Sequence, residues 1–119
     1  MVRTLIVDDQ PAFRSFARSL LAAQGINVVG EAEDGAAALA AVRELLPELV
    51  VLDIQLPDAT GFEVAARLAA EPSAPAVILV SVRGEEDYGP LLRSAYVLGF
   101  ITKAELSASR IMALIGDAP

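Results

Sequence analysis

The sequence predicts an α/β fold in which five β/α pairs surround a parallel, doubly wound sheet. Three observations predict it. Short apolar runs alternate with segments of helical periodicity along the chain, the pattern of successive βαβ units. One run, Leu49 to Leu52, is apolar without interruption, as a strand covered on both faces requires. Two of the runs end in carboxylates, at Asp8-Asp9 and at Asp53, so acids stand at the edge of the sheet where open α/β sheets bind ligands.

The first strand is read over Arg3 to Val7. Pro11 suits the first turn of the helix that follows, because the N–H it lacks has no partner there anyway. Phe13, Phe16, Ala17, Leu20 and Leu21 recur at helical spacing, and Gly25 stops that helix. The second strand runs from Asn27 to Glu31. Asp34 caps a helix that reaches about Leu46, with Leu39, Val42 and Leu46 on one face and Pro47 as its end. After the third strand, Leu49 to Leu52, Thr60 caps a helix from Gly61 to about Ala70 bearing Phe62, Val64 and Leu68. Pro72 and Pro75 punctuate the next loop, and the fourth strand, Ala76 to Val80, finishes at Ser81. Residues 84–87 (Gly-Glu-Glu-Asp) read as a polar loop, and Pro90 opens a short fourth helix through Leu91, Leu92 and Ala95. The fifth strand is Phe100 to Thr102, reaching Lys103, and a last helix starts near Ser107 with Ile111, Leu114 and Ile115 inward.

Right-handed crossovers then favour helices on both faces of the sheet. The strand order 2-1-3-4-5 is taken over from flavodoxin-like sheets rather than derived. In that order strands one and three are neighbours, and Asp8, Asp9 and Asp53 meet at the switch point between them, with Ser81 and Lys103 on the same edge.

Composition narrows the chemistry. The 119 residues suit one domain spanning 1–119, and 55% hydrophobic against 21% charged residues opposes disorder. A net charge of −7 opposes direct nucleic-acid binding, which needs cations against phosphates. With no cysteine and no histidine, thiol nucleophiles, Ser-His catalysis and imidazole metal ligands are excluded. Carboxylates, hydroxyls, lysine, backbone and bound ions remain. No signal-peptide pattern or bilayer-length apolar stretch is present, and the expectation is a cytoplasmic domain with no membrane contact.

Each candidate has a plain structural explanation when taken alone. Acids before a helix are attracted to its positive end, a strand-end Ser is an ordinary hydroxyl, and a lone Lys is usually solvated. Taken together, Asp8, Asp9, Asp53, Ser81 and Lys103 follow apolar strands at four separate points of the chain and converge at one edge. Three clustered carboxylates repel one another and make a candidate site for a hard divalent cation.

The stretches Leu5-Ile6-Val7-Asp8-Asp9, Val51-Leu52-Asp53-Ile54-Gln55-Leu56-Pro57-Asp58-Ala59-Thr60-Gly61, Val80-Ser81 and Gly99-Phe100-Ile101-Thr102-Lys103 resemble the receiver domain of bacterial two-component response regulators. In pattern the chain is similar to receivers that carry helix-turn-helix output domains. The resemblance implies a phosphoacceptor switch rather than an enzyme, with at most slow self-dephosphorylation. It implies that Asp53 accepts a phosphoryl group in a magnesium-dependent step, with Mn2+ as a possible substitute for Mg2+. It assigns Asp8, Asp9, Asp53 and the Gln55 backbone carbonyl to the metal, Ser81 to the switch hydroxyl, Lys103 to the phosphoryl-pairing cation and Phe100 to the aromatic switch. The implied donor is a sensor histidine kinase or phosphotransfer protein, and the implied output face lies on the fourth helix, fifth strand and fifth helix, where a homodimer can also form.

The chain departs from the family pattern in places. Ala104 stands where many receivers have proline, and Phe100 lacks the hydroxyl of the usual tyrosine. Tyr96 stands where a helix-ending glycine is common, so that helix end is expected to be remodelled. Gln55 and Arg83 occupy positions that tune dephosphorylation. Two other readings compete: a receiver-fold binding module that signals without phosphorylation, and a metal-dependent phosphatase, which Gln55 disfavours by standing where aspartate-based phosphatases carry a second acid.

Overall fold

The computed structural model describes residues 2–93 and 96–116. Five parallel strands form one sheet: β1 (Arg3–Val7), β2 (Asn27–Ala32), β3 (Leu49–Asp53), β4 (Ala76–Ser81) and β5 (Gly99–Thr102). Their order is β2-β1-β3-β4-β5, as expected. Among the described residues four α-helices accompany them: α1 (Pro11–Ala23), α2 (Gly35–Leu45), α3 (Gly61–Ala69) and α4 (Ala108–Ile115).

The alternation of strand side chains divides the core in two. Leu5, Val7, Val50, Leu52, Val77 and Leu79 face α2 and α3 and pack on Ala38, Val42, Val64 and Leu68. Ile6, Leu49, Val51, Ile78 and Val80 face the other way, toward Ala17 and Leu21 of α1 and Ile111 of α4. All five residues of β3 are buried, which is why its sequence shows no polar alternation.

The helix starts follow their capping residues. Asp34 and Ser107 each accept an N–H three residues on, from Ala37 (2.7 Å) and Arg110 (3.1 Å). Thr60 and Glu63 form a reciprocal capping box. Pro11 opens α1, and Gly25, at φ +90°, turns the chain away after it.

Three expectations need correction. Leu46 is not on the inner face of α2. It is the C-cap, in left-handed backbone (φ 50°) and 54% exposed, because Pro47 disfavours helical backbone at the residue before it. Phe16 shares the helical spacing of Ala17 and Leu21 but is 55% exposed, one position outside the buried stripe. The segment around Pro90 is a 3-10 turn, Gly89–Arg93, rather than an α-helix, and Ala95 lies outside the described residues. It follows a second 3-10 turn, Glu85–Asp87, inside the polar loop. The expectation that Tyr96 would avoid a left-handed helix end holds: Leu46 is the sole non-glycine residue with positive φ among those described.

Candidate functional site

The register Val7↔Leu52 between β1 and β3 sets the residues that follow, Asp8 and Asp53, side by side at the carboxyl edge. Asp8 is fixed from three directions. Its N–H donates to the Ala32 carbonyl (3.0 Å), its Oδ1 accepts from Gln10 N–H (2.8 Å), and its carbonyl accepts from Arg14 Nη1 (2.7 Å). Asp8 is fully buried, Asp53 is 5% exposed, and Asp9 beside them is open to solvent. One carboxylate oxygen from each of the three lies within 4.8 Å of the others.

Lys103 opens the 3-10 turn Lys103–Glu105 directly after β5. Its Nζ lies 2.6 Å from Asp8 Oδ2 and 3.3 Å from Asp53 Oδ2, to which it donates a hydrogen bond. The ammonium is the one partner of the buried Asp8 Oδ2 among the described residues. The same ammonium lies 4.5 Å from the centroid of the Phe13 ring on α1. Burial works to lower the Lys103 pKa, but Asp8 and Asp53 outweigh it and hold it above its ordinary value. Asp53 shifts the other way for an acid. Burial first and the Asp8 carboxylate second push it up to about 6, against the opposing pull of Lys103 and the Gln55 N–H.

The loop after Asp53 is tightly built. Gln55 N–H donates to Asp53 Oδ1 (3.2 Å), Gln55 and Thr60 form an antiparallel bridge, and Gly61 N–H donates to the Ile54 carbonyl (2.7 Å). A Cβ on Gly61 would sit 2.6 Å from the Asp53 carbonyl oxygen, so only glycine permits this approach. Asp58 binds the loop to the start of α2, its carboxylate accepting from Gly35 N–H (2.8 Å) and Ala36 N–H (3.0 Å). Those N–H groups, Gly35 first, hold Asp58 below the usual carboxylate range.

Ser81 ends β4 and is 2% exposed. Its hydroxyl accepts the Arg83 N–H (3.2 Å) and shares a hydrogen bond with the Tyr88 hydroxyl (2.6 Å). The Tyr88 ring packs between Phe62 (centroids 6.1 Å apart) and Phe100 (5.9 Å). Asp8, Asp53 and Lys103 are thus in mutual contact with Asp9 close by, while Ser81 and Phe100 are joined through Tyr88. Sequence reasoning missed Tyr88 and Asp58. Tyr88 lies only seven residues after Ser81, the one signal the sequence offered for it, whereas Asp58 reaches back 23 residues and left none.

The family model described as the response regulator receiver domain matches residues 4–115. The chain belongs to that family. It is 35% identical over 120 residues to the probable transcriptional regulatory protein NarL of Mycobacterium tuberculosis, covering 98% of this chain and 55% of that one. It is 32% identical over 115 residues to the response regulator GacA of Pseudomonas viridiflava, covering 96% and 54%. The receiver domain therefore spans about half the length of these relatives. The solved signal receiver domain of the M. tuberculosis NarL superposes with a TM-score of 0.81 at 32% identity, over 98% of this chain and 94% of that one. A LuxR-family two-component response regulator from Aurantimonas superposes with a TM-score of 0.82 at 26% identity, over 98% and 84%. Among the described residues no helix is long and apolar enough to cross a membrane.

Proposed function

We propose that this receiver domain is a phosphorylation-controlled switch whose phosphoacceptor is Asp53. The observation that carries the reading is the convergence of three carboxylates within 4.8 Å around one ammonium that touches two of them. Such a cluster is electrostatically uncomfortable alone and well suited to a cation and a phosphoryl group.

The residues fit a hard divalent ion. All three donors are carboxylates, and the buried Asp8 Oδ2 is met by the Lys103 ammonium alone among the described residues. Asp8, Asp9, Asp53 and the Gln55 carbonyl would hold Mg2+, or Mn2+ in its place. When bound, the ion supplies charge neutralisation for phosphoryl oxygens. The chain's own residues do the rest. An Asp53 carboxylate oxygen forms a bond to the phosphorus of a phosphohistidine on a sensor histidine kinase or phosphotransfer protein. The P–N bond breaks, and the imidazole nitrogen leaves with the electron pair and takes up a proton from water. Lys103 moves from a carboxylate oxygen to a phosphoryl oxygen, where its charge opposes the developing negative charge. Ser81 donates its hydroxyl to another.

The modification adds about −1.5 to −2 charge, by analogy with other phosphorylated side chains. Rearrangement of Ser81 and Phe100 then alters the face formed by the 3-10 turns at 85–93, β5 and α4, which a partner or a second copy of the chain reads. In this reading residues 1–119 are the receiver domain, and it works in the cytoplasm.

Acetyl phosphate with Mg2+ should label the protein once per chain, and Asp53→Asn should abolish the label. Undiminished labelling of that variant overturns the assignment. A module that signals without phosphorylation would instead show no saturable, Mg2+-dependent response to beryllofluoride, and a phosphatase would show multiple turnovers rather than one stoichiometric burst.

A further inference from the structure

We infer that Tyr88 is a positioning residue of this switch: its hydroxyl reads the state of Ser81 and passes it to Phe62, Phe100 and the turns at 85–93. The inference rests on the reading of Asp53 as phosphoacceptor. It starts from hydrogen-bond arithmetic at a buried hydroxyl. Ser81 has one proton to donate and two lone pairs to accept with. One lone pair takes the Arg83 N–H, and the 2.6 Å contact with the Tyr88 hydroxyl takes either the other lone pair or the proton. With the site unmodified both senses are available.

A phosphoryl group on Asp53 removes that freedom. Its oxygens are acceptors only, so Ser81 can bind one of them solely by giving up its proton. The Tyr88 contact then survives in a single sense, with Tyr88 donating to Ser81 and Ser81 donating to the phosphoryl oxygen. Such a chain strengthens its members, because each donor is polarised by the next. Ser81 drawn toward Asp53 pulls on Tyr88, and the Tyr88 ring cannot shift without disturbing its two aromatic neighbours.

Phe100 cannot perform this step. It has no hydroxyl, and Tyr88 stands between it and the Ser81 hydroxyl that the phosphoryl group engages. An inward turn of Phe100 therefore follows a displacement of Tyr88. Tyr88 belongs to the segment between the two 3-10 turns, so its displacement moves backbone on the face a partner would contact.

The chain has two tyrosines, so protein carrying 13C at the tyrosine ζ carbon gives two resonances, and the one missing from Tyr88→Phe is Tyr88. With Mg2+ present, beryllofluoride is added while 19F NMR follows its binding. The Tyr88 resonance should shift at saturation, the shift should vanish in Ser81→Ala with fluoride still bound, and Ser81→Thr, which restores a hydroxyl, should restore it. Tyr88→Phe should still be labelled by acetyl phosphate but bind beryllofluoride about fivefold more weakly, the contribution of one neutral hydrogen bond. A Tyr88 resonance that stays still at saturation, or that shifts equally in Ser81→Ala, overturns the inference and leaves Asp53 as phosphoacceptor. Absence of any bound 19F signal in the unsubstituted protein overturns both.

Discussion

The Lys103 ammonium lies 4.5 Å from the centroid of the Phe13 ring, so a residue of the first helix covers the cation that touches both buried acids. The ring's negative face attracts the ammonium, which helps hold Nζ over Asp8 and Asp53. Phe13→Leu keeps an apolar side chain and removes the π face. Stability should fall by roughly 1 kcal/mol in chemical denaturation. Labelling by acetyl phosphate should slow about two- to fivefold, as expected for a cation that is less well placed. A rate equal to that of the unsubstituted protein would show that the ring does not position Lys103.

The shifted Asp53 makes stability depend on pH in a defined direction. Its folded pKa, about 6, lies above its ordinary value of 3.8, so between those values the folded chain holds a proton that the unfolded chain has released. The contribution of this group to stability is therefore full below pH 3.8, falls as pH rises through the folded pKa, and stays low at neutral pH. Asp53→Asn removes the titration. In EDTA its unfolding free energy should exceed that of the unsubstituted protein by about 1–2 kcal/mol at pH 7, a figure reduced for solvent screening, and the difference should shrink toward pH 4. Mg2+ should narrow the gap at pH 7 by stabilising the ionised form. A difference independent of pH would place the cause in packing rather than charge.

The parts of this fold legible in the sequence are those coded within a few residues. Asp34, Thr60 and Ser107 each cap a helix by reaching an N–H three positions on, and an apolar run such as Leu49–Leu52 has one buried solution. The acids of the site were legible for the same reason, since Asp53 ends a strand and Asp8 and Asp9 follow one directly. What escaped was set by distance or by crowding. Asp58 caps a helix that precedes it by 23 residues, and Tyr88 gains its role from three partners on separate elements. Around Pro90 the apolar pattern is too short to separate a 3-10 turn from an α-helix. At Phe16, helical spacing marked a stripe without marking its width.

Lys103 separates metal binding from phosphoryl transfer. Replacing it with Met keeps the aliphatic stem and removes the charge that competes with a divalent ion for Asp8 Oδ2 and Asp53 Oδ2. Lys103→Met should bind Mg2+ more tightly, measured by calorimetry, yet be labelled by acetyl phosphate roughly 10²-fold more slowly, because the charge that opposes the developing negative charge is gone. The two effects have opposite signs, so general unfolding cannot imitate them. Weakened Mg2+ binding would show that Lys103 organises the acids more than it competes for them.

Gly61 tests how closely the Asp53 backbone must be held. The Cβ of Gly61→Ala would meet the Asp53 carbonyl oxygen at 2.6 Å and the Ile54 Cα at 2.8 Å, both backbone atoms that cannot rotate away. The clash must be relieved by moving either the start of α3 or the end of β3. Moving α3 strains the 2.7 Å bond from Gly61 N–H to the Ile54 carbonyl and the Thr60 capping box beside it. Moving β3 displaces the nucleophile. Gly61→Ala should therefore lose about 1–3 kcal/mol of stability, as overpacking against fixed atoms does. It should also lose labelling rate by more than the unfolded fraction explains, since a displacement of about 1 Å can cost ~10²-fold. Ala36→Gly, which loosens the neighbouring helix start while leaving the β3 loop unclashed, is the control: it should lose stability without a matching loss of labelling per folded molecule.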